Sequence, residues 1–226
     1  MNLQEVFDTL ASNELALSRE ANAESTAIAE AHLNRVLLTV NNGLNAIYRQ
    51  FNLKTKIKEI AFTDGERRYN VDDDKDIIEI VEITDLHGTR IPVKESIHLN
   101  ESALLGEFYV RKMSLTDLVF GSDVLGSGAI IRYRCKHPKI NPITPQTNLS
   151  AIELELPESY LDLLVYYVAH KLTTSRDPQA VMNRSPFHVG NNYKALYESE
   201  LVKLMTEGSD IEVPMENNRF AMNGFC

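Results

Sequence analysis

Leu33-Asn34-Arg35-Val36-Leu37-Leu38-Thr39-Val40-Asn41-Asn42-Gly43-Leu44-Asn45-Ala46-Ile47-Tyr48-Arg49-Gln50-Phe51 is the stretch that decides the fold. Leu33, Leu37, Val40, Leu44, Ile47 and Phe51 recur at spacings of 4, 3, 4, 3 and 4. This is the apolar stripe of a long helix that packs one face on partner helices, with polar residues on much of the remaining surface. Gly43 costs such a helix about 1 kcal/mol and leaves room for a close crossing. A stripe of this kind reads as core rather than as a cofactor box.

Upstream, Leu3, Val6, Phe7 and Leu10 share one face of a short amphipathic helix, and residues 11–24 hold no firm period. Downstream the period changes at Lys54. Ile60 and Phe62 open a strand-like run, and Asp64-Gly65 is a turn signal. Residues 77–83 are almost continuously β-branched apart from Glu79 and Glu82, which predicts a mostly buried strand. A second turn is expected at residues 85–88, followed by an extended run to Val93. Ile131, Tyr133 and Cys135 alternate with Arg132 and Arg134; Ile152, Leu154 and Leu156 alternate with Glu153 and Glu155. Both have the period of two expected of half-buried antiparallel strands. Between them lie a Gly-rich loop at 121–128 and an irregular piece at 137–148. Pro138, Pro142 and Pro145 in the latter block sheet ladders and predict an extended surface connector.

The helical period then returns. Pro157 suits a first helical position and Glu158 complements the helix dipole. Leu161, Leu164, Val165, Val168 and Leu172 form one face, and Asp177-Pro178 closes the helix. A last helix begins between Ser185 and Asn191, carries Tyr193, Leu196, Tyr197, Leu201 and Leu204, and stops at Gly208. The remaining residues are polar and Asn-rich with isolated large apolar side chains. They read either as an arm that docks on a partner or as a frayed terminus. The expected class is α+β. An antiparallel helical bundle is built from residues 1–53 and 157–207. A β-rich insertion domain spans 54–156, between the second and third long helices, and an extended C-terminal tail spans 208–226.

A chain of 226 residues can bury roughly 70% of its unfolded surface, so it needs no staples. Hydrophobic content of 43% with 24% charged residues excludes a disordered chain. The net charge of −9 argues against wrapping nucleic acid, because the 23 basic residues are scattered rather than striped. Such a surface either lines a channel through which DNA slides without sticking or simply keeps the protein soluble. Cys135 and Cys226 form no CxxC pair; a disulfide between them is unsupported, and a reducing compartment is expected. The first residues lack the basic start and apolar run of a secretory signal. The apolar run 163–169 is too short to span a bilayer.

No chemical signature emerges. The glycines of 121–128 have phosphate-loop spacing without the lysine, and Ser127 sits in no GxSxG turn. HExxH and paired Cys/His ligands are absent. Asp72, Asp74 and Asp76 start like a calcium loop, but Ile77 stands where glycine is needed and Ile83 where glutamate is. They read as a solvated acidic turn. Asp162 and His170 lie two helical turns apart and cannot act as an acid–base pair; His170 reads as a hydrogen-bonded boundary residue. Tyr160, Tyr166 and Tyr167 read as helix packing. No catalytic residue, metal or cofactor is expected, and the chain is not expected to be an enzyme.

Particular stretches do carry a resemblance. Leu3-Gln4-Glu5-Val6-Phe7-Asp8, with Asn13-Glu14-Leu15, resembles the opening of tail tubular protein A, the head-to-tail adaptor family of short-tailed bacteriophages. Asn42-Gly43-Leu44-Asn45-Ala46-Ile47-Tyr48-Arg49-Gln50-Phe51-Asn52-Leu53-Lys54 is similar to that family's second helix running into its first strand. Leu154-Glu155-Leu156-Pro157-Glu158 and Leu163-Leu164-Val165-Tyr166-Tyr167-Val168-Ala169 resemble its third helix. These stretches amount to 34 of the 226 residues.

The resemblance implies a virion protein, made in the host cytoplasm, standing as a ring of twelve copies in the neck beneath the portal. There it extends the DNA channel, which DNA traverses without specific binding. It implies the portal protein and tail nozzle protein as partners, tail fibres as a further one, and no membrane. In the family the tail reaches up to the portal, which makes residues 208–226 the portal-binding candidate. Phe220, Met222 and Phe225 are its anchors on apolar character alone. Residues 94–148 are more elaborate than a minimal adaptor requires, so nozzle, fibre and neighbour contacts all stand open for them. The alternative is another phage neck or tail-completion interaction protein without portal contact.

Overall fold

The computed structural model describes residues 1–14, 27–71, 76–95, 108–121, 124, 127–174 and 186–207. Among them the protein is mixed α+β, with four α-helices and two sheets. In chain order these are α1 (Leu3–Thr9), α2 (Leu33–Gln50), β1 (Thr55–Ala61), β2 (Arg68–Asn70), β3 (Ile77–Asp85) and β4 (Val93–Glu95). Then follow β5 (Val110–Lys112), β6 (Asp117–Phe120), β7 (Gly128–Cys135), α3 (Leu161–Thr174) and α4 (Pro186–Glu207). Two compact units result: Met1–Gly43 with Asn141–Cys226, and Leu44–Ile140. They are called here the helical unit and the β unit.

In the helical unit, α1 starts on a reciprocal cap. The Glu5 N–H donates to Asn2 Oδ1 at 2.9 Å, and the Asn2 N–H donates to Glu5 Oε2 at 3.0 Å. Such boxes satisfy two of the orphan donors at a helix start. Leu3, Val6, Phe7 and Leu10 are buried as their spacing predicts, and a π-helical turn over Leu10–Glu14 follows α1. The expected strand at 152–156 is corrected. Leu3 N–H donates to the Ile152 carbonyl and Leu154 N–H to that of Met1, a single antiparallel bridge between Asn2 and Glu153. Leu154 and Leu156 are buried, so the alternation was real. It marks an extended segment against the chain start, and the turn closed by Leu156 N–H on Leu154 O ends it. Pro157 is likewise corrected: it caps a 3-10 turn (Glu158–Tyr160), and α3 begins only at Leu161.

Gly43 is where α2 meets α3. A Cβ built there would lie 2.7 Å from Leu164 Cδ1 and 2.9 Å from Tyr167 Cδ1, so the close crossing expected of this glycine is present. Tyr167 in turn meets Tyr197 of α4 edge-on, with centroids 5.6 Å apart. Burial raises both phenol pKa values above their ordinary 10.0. At the other end of the unit, Asn34 on α2 clamps the proline-rich connector like a strand partner. Its Nδ2 donates to Ile143 O at 3.0 Å and its Oδ1 accepts from Ile143 N at 2.9 Å. Ile143 is buried, so this connector does not simply run over the surface.

In the β unit, β7 is the central strand of an antiparallel sheet of order β1-β7-β3, and a second sheet has order β2-β6-β5-β4. Ala129, Ile131, Tyr133 and Cys135 of β7 are buried while Ile130, Arg132 and Arg134 are half-buried, as the period of two requires. Both sheets feed one core. Ile60, Ile77, Ile83 and Ile131 come from the first, Val110, Leu118 and Phe120 from the second. Each fully buried side chain of this size contributes about 1.5–3 kcal/mol. The two predicted turns are present: Gly65 and Gly88 have φ of 83° and 84°, the left-handed region that glycine enters without a Cβ penalty. In the second turn Asp85 Oδ1 accepts from the N–H groups of His87 (2.9 Å) and Thr89 (2.7 Å).

Arg134, Cys135 and His137 fasten the end of α2 and the loop after it to the sheet, and Lys136 ties in the start of β3. Arg134 Nη2 donates to the carbonyls of Tyr48 (3.0 Å), Arg49 (3.1 Å) and Phe51 (3.0 Å), and Nη1 pairs with Glu79 at 2.9 Å. Helix C-termini leave carbonyls unsatisfied and carry partial negative charge, so a guanidinium there serves both needs. Cys135 N–H donates to Lys54 O, Lys136 N–H to Asp76 O, and the His137 ring stands edge-on to Tyr48 at 5.4 Å.

Candidate functional site

The sequence-predicted anchors Phe220, Met222 and Phe225 lie outside the described residues, as does the Gly208 stop. Of the aspartates in the calcium-like run only Asp76 is described, and it forms an ion pair with Lys56. That partner raises the lysine pKa above its ordinary 10.5. Asp162 and His170 both sit on α3, and Tyr160 is buried in the 3-10 turn that precedes it. No group of side chains able to hold a metal occurs among the described residues, and no described helix is long and apolar enough to cross a membrane.

What the fold adds is a distribution of charge. The β unit holds fifteen basic and fifteen acidic residues, while the helical unit holds eight against seventeen. All of the net −9 therefore belongs to the helical unit. Periodicity in the sequence joins the two segments of that unit, but a charge taken as one sum over the whole chain hides the division.

The fold also gathers cations that look scattered in sequence. Strand register puts Lys94, Arg111, Val119 and Arg68 in one row across the four-stranded sheet. Arg68 is neutralised by Asp117, to which its Nε donates at 3.1 Å. The guanidinium holds the Asp117 carboxyl below its ordinary 3.8. Arg111 is buried, and its Nε donates to the Tyr109 hydroxyl at 2.8 Å. The Lys94 ammonium stands 3.8 Å from the centre of the same ring. With one arginine ion-paired and another buried, the row is no continuous track for phosphates.

No family model matches the chain, and comparison with curated proteins finds no match either.

Two features of the β unit remain available to a partner. Ile57 on edge strand β1 is 63% exposed, and Val81 on edge strand β3 is also exposed. A recess of about 390 Å³ opens beside an aromatic cluster. Phe62, Tyr69 and Phe120 meet with centroids 4.8–5.8 Å apart, and the turn at Asp64 and Gly65 forms the rim. The Tyr69 hydroxyl fixes that rim by accepting from Thr63 N at 2.8 Å and donating to Glu66 O at 3.1 Å.

Proposed function

We propose that the chain is the structural head-to-tail adaptor of a short-tailed phage virion, without turnover of any substrate. Twelve copies stand in a ring under the portal, extend the DNA channel and dock the tail nozzle or fibres. The arrangement behind this reading is an antiparallel helical bundle with a β-rich insertion between α2 and α3 and an extended C-terminal arm. The observation that carries it is where the family-like stretches fall. Residues 42–54 cover the last turns of α2 and run up to β1; residues 154–158 and 163–169 cover the approach to α3 and its buried face.

The charge distribution supports a division of labour within the ring. The acidic helical unit borders the DNA path, where like charge keeps phosphates from sticking. The β unit, whose charges balance, meets protein neighbours without a net charge to repel the next copy. Residues 208–226, with Phe220, Met222 and Phe225, grip the portal.

The test is direct. Purified protein mixed with the cognate portal should give twelvefold rings on it by electron microscopy. Persistent failure to bind the portal would overturn the adaptor reading, and binding to the nozzle alone would turn it into the neck-protein alternative. Deleting residues 217–226 should abolish portal attachment while leaving the circular dichroism spectrum and melting temperature unchanged. Attachment that survives the deletion would remove the tail from the mechanism and leave the ring standing.

A further inference from the structure

We draw no further inference here: the strongest candidate, the recess between the Phe62, Tyr69 and Phe120 cluster and the Asp64 and Gly65 turn of the β unit, is rimmed by exposed polar side chains, and nothing in the structure shows what occupies it.

Discussion

Gly43 and Gly128 pose the same question, what a methyl group would meet, with different answers. At Gly43 the neighbours are a leucine methyl and a tyrosine ring edge, which can shift, and alanine regains about 1 kcal/mol of helix propensity. Gly43→Ala should therefore change stability by less than about 1 kcal/mol in urea unfolding, and Gly43→Val should cost about 1–3 kcal/mol through overpacking. At Gly128 the methyl would lie 2.3 Å from the Ile60 carbonyl oxygen, which belongs to the backbone of the paired strand. Gly128→Ala should cost more than Gly43→Ala, and the reverse order would contradict both packing arguments. Arg134 is a third test. Replacing it by Met removes its bonds to three carbonyls and to Glu79, and charge-assisted bonds are worth about 1.5–3 kcal/mol, so a loss of about 2–4 kcal/mol is expected. Arg134→Lys should recover little of it, because an ammonium lacks the planar fork of donors. Acid provides another check. Asp117, beside Arg68, and Asp85, beside the Thr89 N–H, have carboxyl pKa values below the ordinary 3.8 in the folded chain. Their contribution is complete above that value and disappears as pH falls through the lowered folded values. Urea midpoints measured from pH 6 downward should fall in that acid window, and less steeply in Asp117→Asn.

Elements differ in how plainly the sequence announces them. The stripe of α2 and the alternation of β7 are legible because each buries a face at its own period: Leu37, Val40, Leu44 and Ile47 on one, Ile131, Tyr133 and Cys135 on the other. Residues 152–156 alternate just as cleanly yet join no sheet, because period two reports an extended chain with one buried side and not the presence of a ladder. The cationic row Lys94, Arg111 and Arg68 was invisible, since it depends on register between strands, including the parallel pair β4 and β5. The proposed anchors on the tail rest on apolar character alone, as they did in the sequence. The edges of the three-stranded sheet carry their own protection. Lys56 and Lys58 alternate along β1, and β3 is broken by register shifts at Ile77/Glu79 and Ile80/Glu82. Charged and bulged edges resist pairing with further strands. Lys56→Val with Lys58→Val should make the protein aggregate on mild heating, read by light scattering, while the native protein stays clear.

For the whole molecule the division of charge makes a prediction that neither unit's contacts make. Self-repulsion should weigh on the helical unit alone, and salt screens it over roughly 10 Å at 0.1 M. Raising salt should increase amide exchange protection in α3 and leave that of β7 nearly unchanged; an equal response in both would show that the net charge is not a local burden. The fastening of α2 by Arg134 has a further consequence, for anyone wishing to transplant the β unit. Its boundary falls inside a helix, at Leu44, and the carbonyls that Arg134 holds lie beyond that point. A graft cut at the loop before β1 would leave its own anchor behind. The cassette that can be moved intact starts seven helical residues earlier, and any host must supply a helix for it to continue.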